Sequence, residues 1–165
     1  MNFRDRSIWT AIVLGGFIAG TIDIGSACVI NLLDPVTILH AIASGLLGRA
    51  SFYEGAPSAV LGLLLQLSIS LVIAAIYVLA AHYLPVLLRR WIAGGLAYGV
   101  GVFFVMNYVV VPLSAARPHH NFPHFTPVHF VGNLLAMLLF GLIVSYLAQR
   151  PGRARESTDR LAAEY

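Results

Sequence analysis

The sequence predicts an all-α polytopic membrane protein with four transmembrane helices and one short interfacial helix on the outer side. The chain has 165 residues, of which 59% are hydrophobic and only 10% are charged. Because soluble domains carry about 25% charged residues, this composition does not provide a water-facing surface. Four segments stay apolar over the roughly 20 residues that a spanning helix needs. In lipid, a helix satisfies its backbone groups within a single segment, so we expect these segments to be helical.

Proline residues mark the limits of the four spans. The spans are predicted at about Ile8–Leu32, Pro57–Leu84, Trp91–Leu113 and Val128–Ala148. Pro57 and Pro127 favour helix starts, since proline is tolerated in the first turn, and Thr126 is a candidate N-cap. Pro85 and Pro112 are expected to stop helices because proline lacks the backbone N–H.

The first span contains a stretch similar to a lipoprotein cleavage box, Gly25-Ser26-Ala27-Cys28. Two features argue against cleavage: Gly25 stands where that box has leucine, and Asp23 interrupts the apolar run. We therefore expect the first span to be retained. Cys28 is the single cysteine, so the chain has neither an internal disulfide nor a Cys-x-x-Cys pair.

A shorter helix is predicted between the first two spans, over Val36–Ala50. Asp34 is placed to cap it, with Pro35 in the first turn. At about fifteen residues it is short for a span and suits an interfacial or re-entrant helix. One side of this helix is apolar and comprises Val36, Leu39, Ala43, Leu46 and Leu47, and the other side carries Thr37, His40 and Ser44.

The basic residues predict the orientation of the spans. All ten are arginine, and eight lie before the first span, between the second and third, or after the fourth. These eight are Arg4, Arg6, Arg89, Arg90, Arg150, Arg153, Arg155 and Arg160. The other two loops carry one each, Arg49 and Arg117. Arginine concentrates in cytoplasmic loops, so we expect both termini to be cytoplasmic, with residues 1–150 as the transmembrane domain and 151–165 as a polar tail.

Asp23 is the most informative polar residue. An ionised aspartate in the middle of a membrane costs about 2.5–3.5 kcal/mol on insertion scales. No lysine or arginine lies within any predicted span to pair with it. Gly16, Gly20, Ala27 and Asn31 share its helix stripe, and Gly-x-x-x-Gly spacing lets another helix approach closely. We therefore expect Asp23 to face a neighbouring helix rather than lipid.

Each of the other three spans contributes one strong polar group at a similar counted depth. These groups are Gln66, Asn107 and Asn133, and His129 lies one turn from Asn133 on the same face. Two interpretations stay open. Such groups often only hydrogen-bond between membrane helices, for roughly 0.6 kcal/mol each. Alternatively, they line an outward-facing polar cavity in which Asp23 binds a proton or a cation, because ionisable residues within membranes often mark functional sites.

The outer loop Ser114–Thr126 is rich in histidine. His119, His120 and His124, with His129 nearby, are candidate ligands of a zinc, copper or nickel ion, since imidazole is a common metal ligand. The spacing matches no closed zinc pattern, and no cysteine or carboxylate is near in sequence. Solvated or interfacial histidines are the favoured explanation of the loop, and a proton-sensing role is a further alternative because histidine titrates near neutrality. No resident cofactor is indicated, since the phosphate-loop and zinc-protease motifs are absent from the sequence.

Several stretches resemble known proteins. Gly20–Ile24, Ile42–Gly48 and Met106–Ser114 resemble segments of small four-span proteins from bacterial genomes. The second half, from Ala75 to Gly132, distantly resembles the YagU-like inner-membrane family. These resemblances imply a multi-pass protein of the bacterial inner membrane and bring no established biochemical activity. The YagU-like family is associated with acid-stress survival.

Two functions are compatible with these features. The first is a non-enzymatic accessory or structural subunit of a membrane assembly, bound to a membrane-protein partner or to further copies of itself within the lipid bilayer. The alternative is a small transporter or channel with a proton- or cation-binding site around Asp23. An enzyme is not favoured because no nucleophile–base pair is recognisable. Nucleic-acid binding is not expected either, since the basic charge forms no continuous face.

Overall fold

The four long apolar helices are the main feature of the computed structural model, which describes residues 3–116 and 126–163 and the side chains of residues 8–116 and 126–149. The helices are α1 (Phe3–Asn31), α2 (Pro35–Leu47), α3 (Ala56–Tyr83), α4 (Val86–Arg89), α5 (Trp91–Val105), α6 (Val111–Leu113) and α7 (Pro127–Ala163). A 3₁₀ turn covers Gly48–Phe52, and a π-helical turn covers Met106–Val110. The described part of the chain contains no strand, so the all-α prediction is confirmed.

Four helices in the described part of the chain are long and apolar enough to cross a membrane. They are Ile8–Asn31, Ala56–Tyr83, Trp91–Leu113 and Pro127–Gln149. The third of them is built from α5, the π-helical turn and α6 in direct succession. This chain is therefore a multi-pass integral membrane protein, as the hydropathy pattern predicted.

Consecutive long helices run antiparallel, and α1 and α7 form the centre of the bundle. Helix α1 packs against both α3 and α7, and α7 packs against α5. Glycine allows the closest approach: a Cβ atom on Gly16 would lie 3.0 Å from the Leu71 Cα atom of α3. The predicted close contact at the Gly16–Gly20 stripe is thus confirmed. The bundle has a basic end, which carries Arg89 and Arg90, and an α2 end opposite to it.

Helix α3 shows how the interior is composed. Its buried residues are Ser58, Gly62, Gln66, Ser70, Ala74, Tyr77, Val78 and Ala81. Most of its exposed side chains are large and apolar, for example Val72 and Leu64. Small and polar residues therefore face the protein while branched apolar residues face outward. This arrangement suits a helix surrounded by lipid, because lipid tails are as apolar as leucine and moving leucine from lipid into the protein interior provides no hydrophobic stabilisation.

Helix α2 begins as predicted. The Asp34 Oδ1 atom accepts hydrogen bonds from the backbone N–H groups of Val36 and Thr37, both at 3.0 Å. The Thr37 hydroxyl donates to Asp34 Oδ2 at 2.5 Å. The side-chain bond from Thr37, together with these backbone bonds, favours the carboxylate and lowers the pKa of exposed Asp34 below its ordinary value of 3.8.

The docked face of α2 differs from the sequence-based division. Ser44, from the predicted polar side, is buried beside Ala43, whereas Val36 and Leu46 from the apolar side are exposed. The reason is that α2 packs on α3 through small residues: the backbone carbonyl of Leu39 fills the space that a Cβ atom on Gly62 would need. The face with small side chains is the one that permits this approach.

The end of the third span also differs in detail from the prediction. Pro112 does not stop the helix before it; the chain passes through a π-helical turn, and α6 ends one residue after Pro112. Proline cannot donate to the carbonyl four residues earlier, and its ring crowds that carbonyl. A π-helical turn directly before the proline shifts the hydrogen-bond register and accommodates this crowding.

Helix α7 starts where predicted and extends beyond the fourth span. The backbone N–H of His129 donates to the Thr126 hydroxyl at 3.4 Å, so Thr126 caps the helix that begins at Pro127. Beyond residue 149 the backbone continues in the same helix to Ala163, through most of the predicted polar tail.

Candidate functional site

Asp23 and Gln66 meet between α1 and α3. The Gln66 Nε2 atom donates to Asp23 Oδ2 at 2.9 Å. Gln66 is 8% exposed, and Asp23 is partly buried. Close packing brings the two helices together one turn away, where a Cβ atom on Gly20 would lie 2.5 Å from the Ser70 hydroxyl oxygen. The small residue at position 20 therefore allows the short amide side chain to reach the carboxyl group.

The pair lies inside the membrane-spanning part of the bundle. Asp23 is about 12 Å along the axis from Asn31, the last residue of α1, because a helix rises roughly 1.5 Å per residue. No arginine occurs within the four spans, and the chain has no lysine. The carboxyl group thus has an amide donor but no basic group of the spans beside it, so its charge is not balanced by an ion pair.

The other predicted polar residues lie elsewhere. A Cβ atom on Gly132 would lie 3.0 Å from Ile30, so the neighbouring Asn133 is level with the end of α1. That level is about 10 Å from Asp23 along the axis. Asn107 donates from Nδ2 to the carbonyl of Phe103 in its own helix at 2.9 Å.

His129 has a local role at the start of α7. Its Nδ1 atom lies 2.6 Å from the hydroxyl oxygen of Thr126, the cap of that helix. The sequence-based hypothesis grouped His129 with Asp23, Gln66, Asn107 and Asn133. The structure joins Asp23 to Gln66 and engages Asn107 and His129 with their own helix or its cap.

The proposed metal ligands His119, His120 and His124 lie outside the residues that the structure describes. Within residues 3–116 and 126–163, no group of three or more histidine, cysteine, aspartate or glutamate residues is arranged to hold a metal ion.

A second polar cluster lies nearer the basic end and includes residues that the sequence analysis did not single out. Tyr98 of α5 donates from its hydroxyl to the carbonyl of Ile73 in α3 at 2.6 Å. Its ring packs edge-on against Tyr77, with the centroids 5.0 Å apart. Ser145 is fully buried, and Gln149, one turn further along α7, is 4% exposed. No sequence signal indicated the burial of Gln149, because it lies one residue beyond the predicted fourth span, where a polar residue is ordinarily placed in the interface.

An apolar layer separates the two polar sites. Ala19 of α1, Ala74 of α3, and Phe140 and Val144 of α7 belong to one buried cluster, which also contains Tyr77. Ala74 lies between Ser70 and Tyr77 on the buried stripe of α3. The Asp23–Gln66 pair is therefore not continuous with the polar groups at the basic end in this conformation.

A third polar contact fixes α2 to the start of α3. The Ser58 hydroxyl donates to the carbonyl of Ser51 at 2.5 Å, and His40 Nδ1 lies 2.5 Å from the same hydroxyl oxygen. Because the single hydroxyl proton of Ser58 points at the carbonyl of Ser51, Nδ1 of His40 is assigned as protonated and as the donor to the Ser58 hydroxyl oxygen. Ser58 is 1% exposed, so a substrate cannot reach it, and the contact serves to join the two helices.

Comparisons of the chain with protein-family models, with curated proteins and with solved structures found no match.

Proposed function

We propose that this integral membrane protein is a small transporter or channel that binds and releases a proton at Asp23. The observation that carries the proposal is the Asp23–Gln66 hydrogen bond inside the spanning region, with no lysine or arginine in any of the four spans. A carboxyl group placed in this way is costly when ionised, and such groups in membranes are commonly retained for a function.

The amide of Gln66 supports both protonation states of Asp23. When the carboxyl group is ionised, it accepts from Nε2, as the 2.9 Å contact is arranged. When it is protonated, its O–H becomes a donor, and rotation of the amide by half a turn presents the carbonyl oxygen instead. A side chain that serves as donor or acceptor keeps the pair hydrogen-bonded through a cycle of proton uptake and release.

A proton fits the site better than a metal cation. Hard cations take six or more oxygen ligands, or retain several waters. Asp23 supplies one carboxylate, and among the described residues no group of three or more histidine, cysteine, aspartate or glutamate residues is arranged to hold a metal ion. The cation alternative therefore has less support than proton binding.

Proton flux into liposomes tests the proposal. The purified protein is reconstituted with a pH-sensitive dye inside, and a potassium diffusion potential drives the flux. We expect flux from the parent protein and its loss in Asp23→Asn, with slower flux in Gln66→Leu. Asp34→Asn is the matched control, because it neutralises an aspartate outside the spans. Equal flux from Asp23→Asn and the parent would refute the proposal.

A second candidate is a non-enzymatic accessory or structural subunit of a membrane assembly. Gly25 of α1 and Gly101 of α5 have no atom within 4 Å of the position that a Cβ atom would take. Small residues on an outer helix face permit close approach of another helix, from a partner protein or a second copy. Native mass spectrometry of protein extracted from its own membrane tests this candidate. A stoichiometric second polypeptide supports it, and a bare monomer opposes it.

We also propose that the protein lies in a bacterial inner membrane with both termini in the cytoplasm. The support is the arginine distribution, since Arg89 and Arg90 lie at the same end as the start of α1 and residue 149 of α7. Reporter fusions at each terminus and in the 114–126 loop check this orientation. Activity of a periplasmic reporter at either terminus would reverse it.

A further inference from the structure

Two buried polar atoms at the basic end have no hydrogen-bond partner in the part of the chain that the structure describes. They are Gln149 Nε2 and the Tyr77 hydroxyl, which lies beside the Ser145 hydroxyl but makes no hydrogen bond of ordinary geometry to it. Tyr77 is 1% exposed, so its hydroxyl cannot reach bulk water in this conformation. Buried polar groups in folded proteins almost always have a partner, either from the protein or from an ordered water.

The surroundings of Tyr77 show where such a partner would lie. The hydroxyl oxygen is 3.1 Å from the position of a Cβ atom on Gly94, which places it against the backbone of α5. Ser145 of α7 adjoins the next residue, Gly95, where its hydroxyl oxygen occupies the space of a second missing Cβ atom. The two glycines therefore leave room for hydroxyl groups from α3 and α7 on the same side of α5.

Ser145 and Gln149 extend this polar patch along α7. They are four residues apart, so their side chains share one helix face. The Ser145 hydroxyl donates to the carbonyl of Leu142 at 3.0 Å and keeps its oxygen lone pairs available as acceptors. The patch thus offers a donor and acceptor from Tyr77, an acceptor from Ser145 and a donor from Gln149.

We propose that Tyr77, Ser145 and Gln149 bind at least one water molecule, which forms a hydrated site in the basic half of the bundle. A water molecule accepts from the Tyr77 hydroxyl and Gln149 Nε2 and donates to the Ser145 oxygen. Buried waters typically make about three hydrogen bonds to protein groups that would otherwise be unpaired. This set of donors and acceptors matches that number.

The hydrated site has a consequence for Asp23 that rests on the proposed function. It brings water to within one apolar layer of the Asp23–Gln66 pair, the layer that contains Ala19 and Ala74. A proton released from Asp23 toward the basic end would cross that layer and enter the water at Tyr77. The hydration itself does not depend on any role of Asp23.

The direction in which Tyr77→Phe shifts the unfolding midpoint tests whether the site holds water. If water bonds the hydroxyl, Tyr77→Phe removes a hydrogen bond, and the unfolding midpoint of the purified protein falls. If the site is dry, the same substitution removes an unsatisfied buried group, and the midpoint stays the same or rises. Tyr98→Phe is the matched control, because its hydroxyl bonds the Ile73 carbonyl directly and its midpoint falls in either case.

A double-mutant cycle tests whether the residues share the water. When Tyr77→Phe and Gln149→Leu each displace the same molecule, their combined effect is smaller than the sum of the single effects. Additive effects, or a rise in midpoint for Tyr77→Phe, overturn the inference. These readouts are independent of proton flux, so failure here is distinct from failure of the proposed function, which appears as unchanged flux in Asp23→Asn.

Discussion

The seam between α5 and α7 gives the sharpest structural prediction, because it depends on glycine at one position. A Cβ atom on Gly99 would lie 2.8 Å from the Leu138 Cα atom and closer still to the carbonyl oxygen of Met137. Both are backbone atoms of α7, so neither can rotate away. Gly99→Ala therefore has to push the two helices apart.

The size of the effect follows from a comparison with Gly101 on the same helix. Bringing the 2.8 Å contact of Gly99 to an ordinary 3.4 Å moves the helices by at least about 0.6 Å, and such overpacking typically costs about 1–3 kcal/mol. Alanine also gains about 0.5–1 kcal/mol over glycine within a helix. Gly101→Ala has the same gain with open space around it. The difference between the two variants is thus expected to be about 1–3 kcal/mol of unfolding free energy.

Reversible unfolding in mixed micelles measures this difference. The fraction of dodecyl sulfate is raised while helix content is followed by circular dichroism. We expect the Gly99→Ala unfolding constant to exceed that of Gly101→Ala by about 5- to 150-fold, since 1.4 kcal/mol corresponds to tenfold. Equal stability of the two variants, or a more stable Gly99→Ala, would refute the close-packed seam.

Three further predictions concern other contacts. Asp34→Ala should speed hydrogen exchange in α2 at neutral pH, whereas Asp34→Asn should not, because asparagine also caps a helix. Since the pKa of Asp34 is lowered in the folded protein, the parent's protection of α2 against hydrogen exchange should be lost as the pH falls below about 3.8 and through that folded pKa. Asn107→Leu should lower stability by at most about 1.5 kcal/mol and leave proton flux through Asp23 unchanged, and lost flux would show that Asn107 serves the site. Ser58→Ala should weaken the attachment of α2 to α3 and raise the hydrogen exchange of α2, with His40→Ala giving a smaller change. No change in either variant would contradict the role of this contact in joining the two helices.

The helix count and most helix ends followed from the sequence. Proline and capping residues act locally, so Asp34, Pro57 and Thr126 could be assigned without knowledge of the fold. The contact between Asp23 and Gln66 was also within reach, because both lie on stripes of small residues at similar counted depths. Local chemistry and helical periodicity contain all the information that these features need.

The grouping of Asn107 and Asn133 with Asp23 could not be settled in that way. Counting depth from the ends of a span assumes that all helices are equally straight and start at one level. The π-helical turn before Pro112 breaks that assumption for Asn107, and the contact of Gly132 with Ile30 sets the level of Asn133. Register between helices is a property of their packing, which no single helix specifies.

The docked face of α2 was missed for a related reason. Hydropathy divides a helix into apolar and polar sides, but in a membrane both the protein and the lipid accept apolar groups. Size decides the face instead, and Ser44 and Ala43 turn inward because they are small. Gln149 was overlooked because a polar residue at the end of a span is ordinarily placed in the interface, and its burial depends on neighbours from other helices.

The position of α7 in the bundle constrains how the protein is made. This helix is synthesised after the other described helices, yet it packs along both α1 and α5, with Gly132 meeting Ile30 and Gly141 meeting Gly95. The first span must therefore remain in the bilayer without its largest partner until α7 has been made. During that interval Gly16, Gly20 and Asp23 can already pack against α3, whereas Gly15 and Ile30 still lack the α7 residues that they contact in the folded bundle. A chain that stops before α7 would leave this second side of α1 without its helix partner in the bilayer.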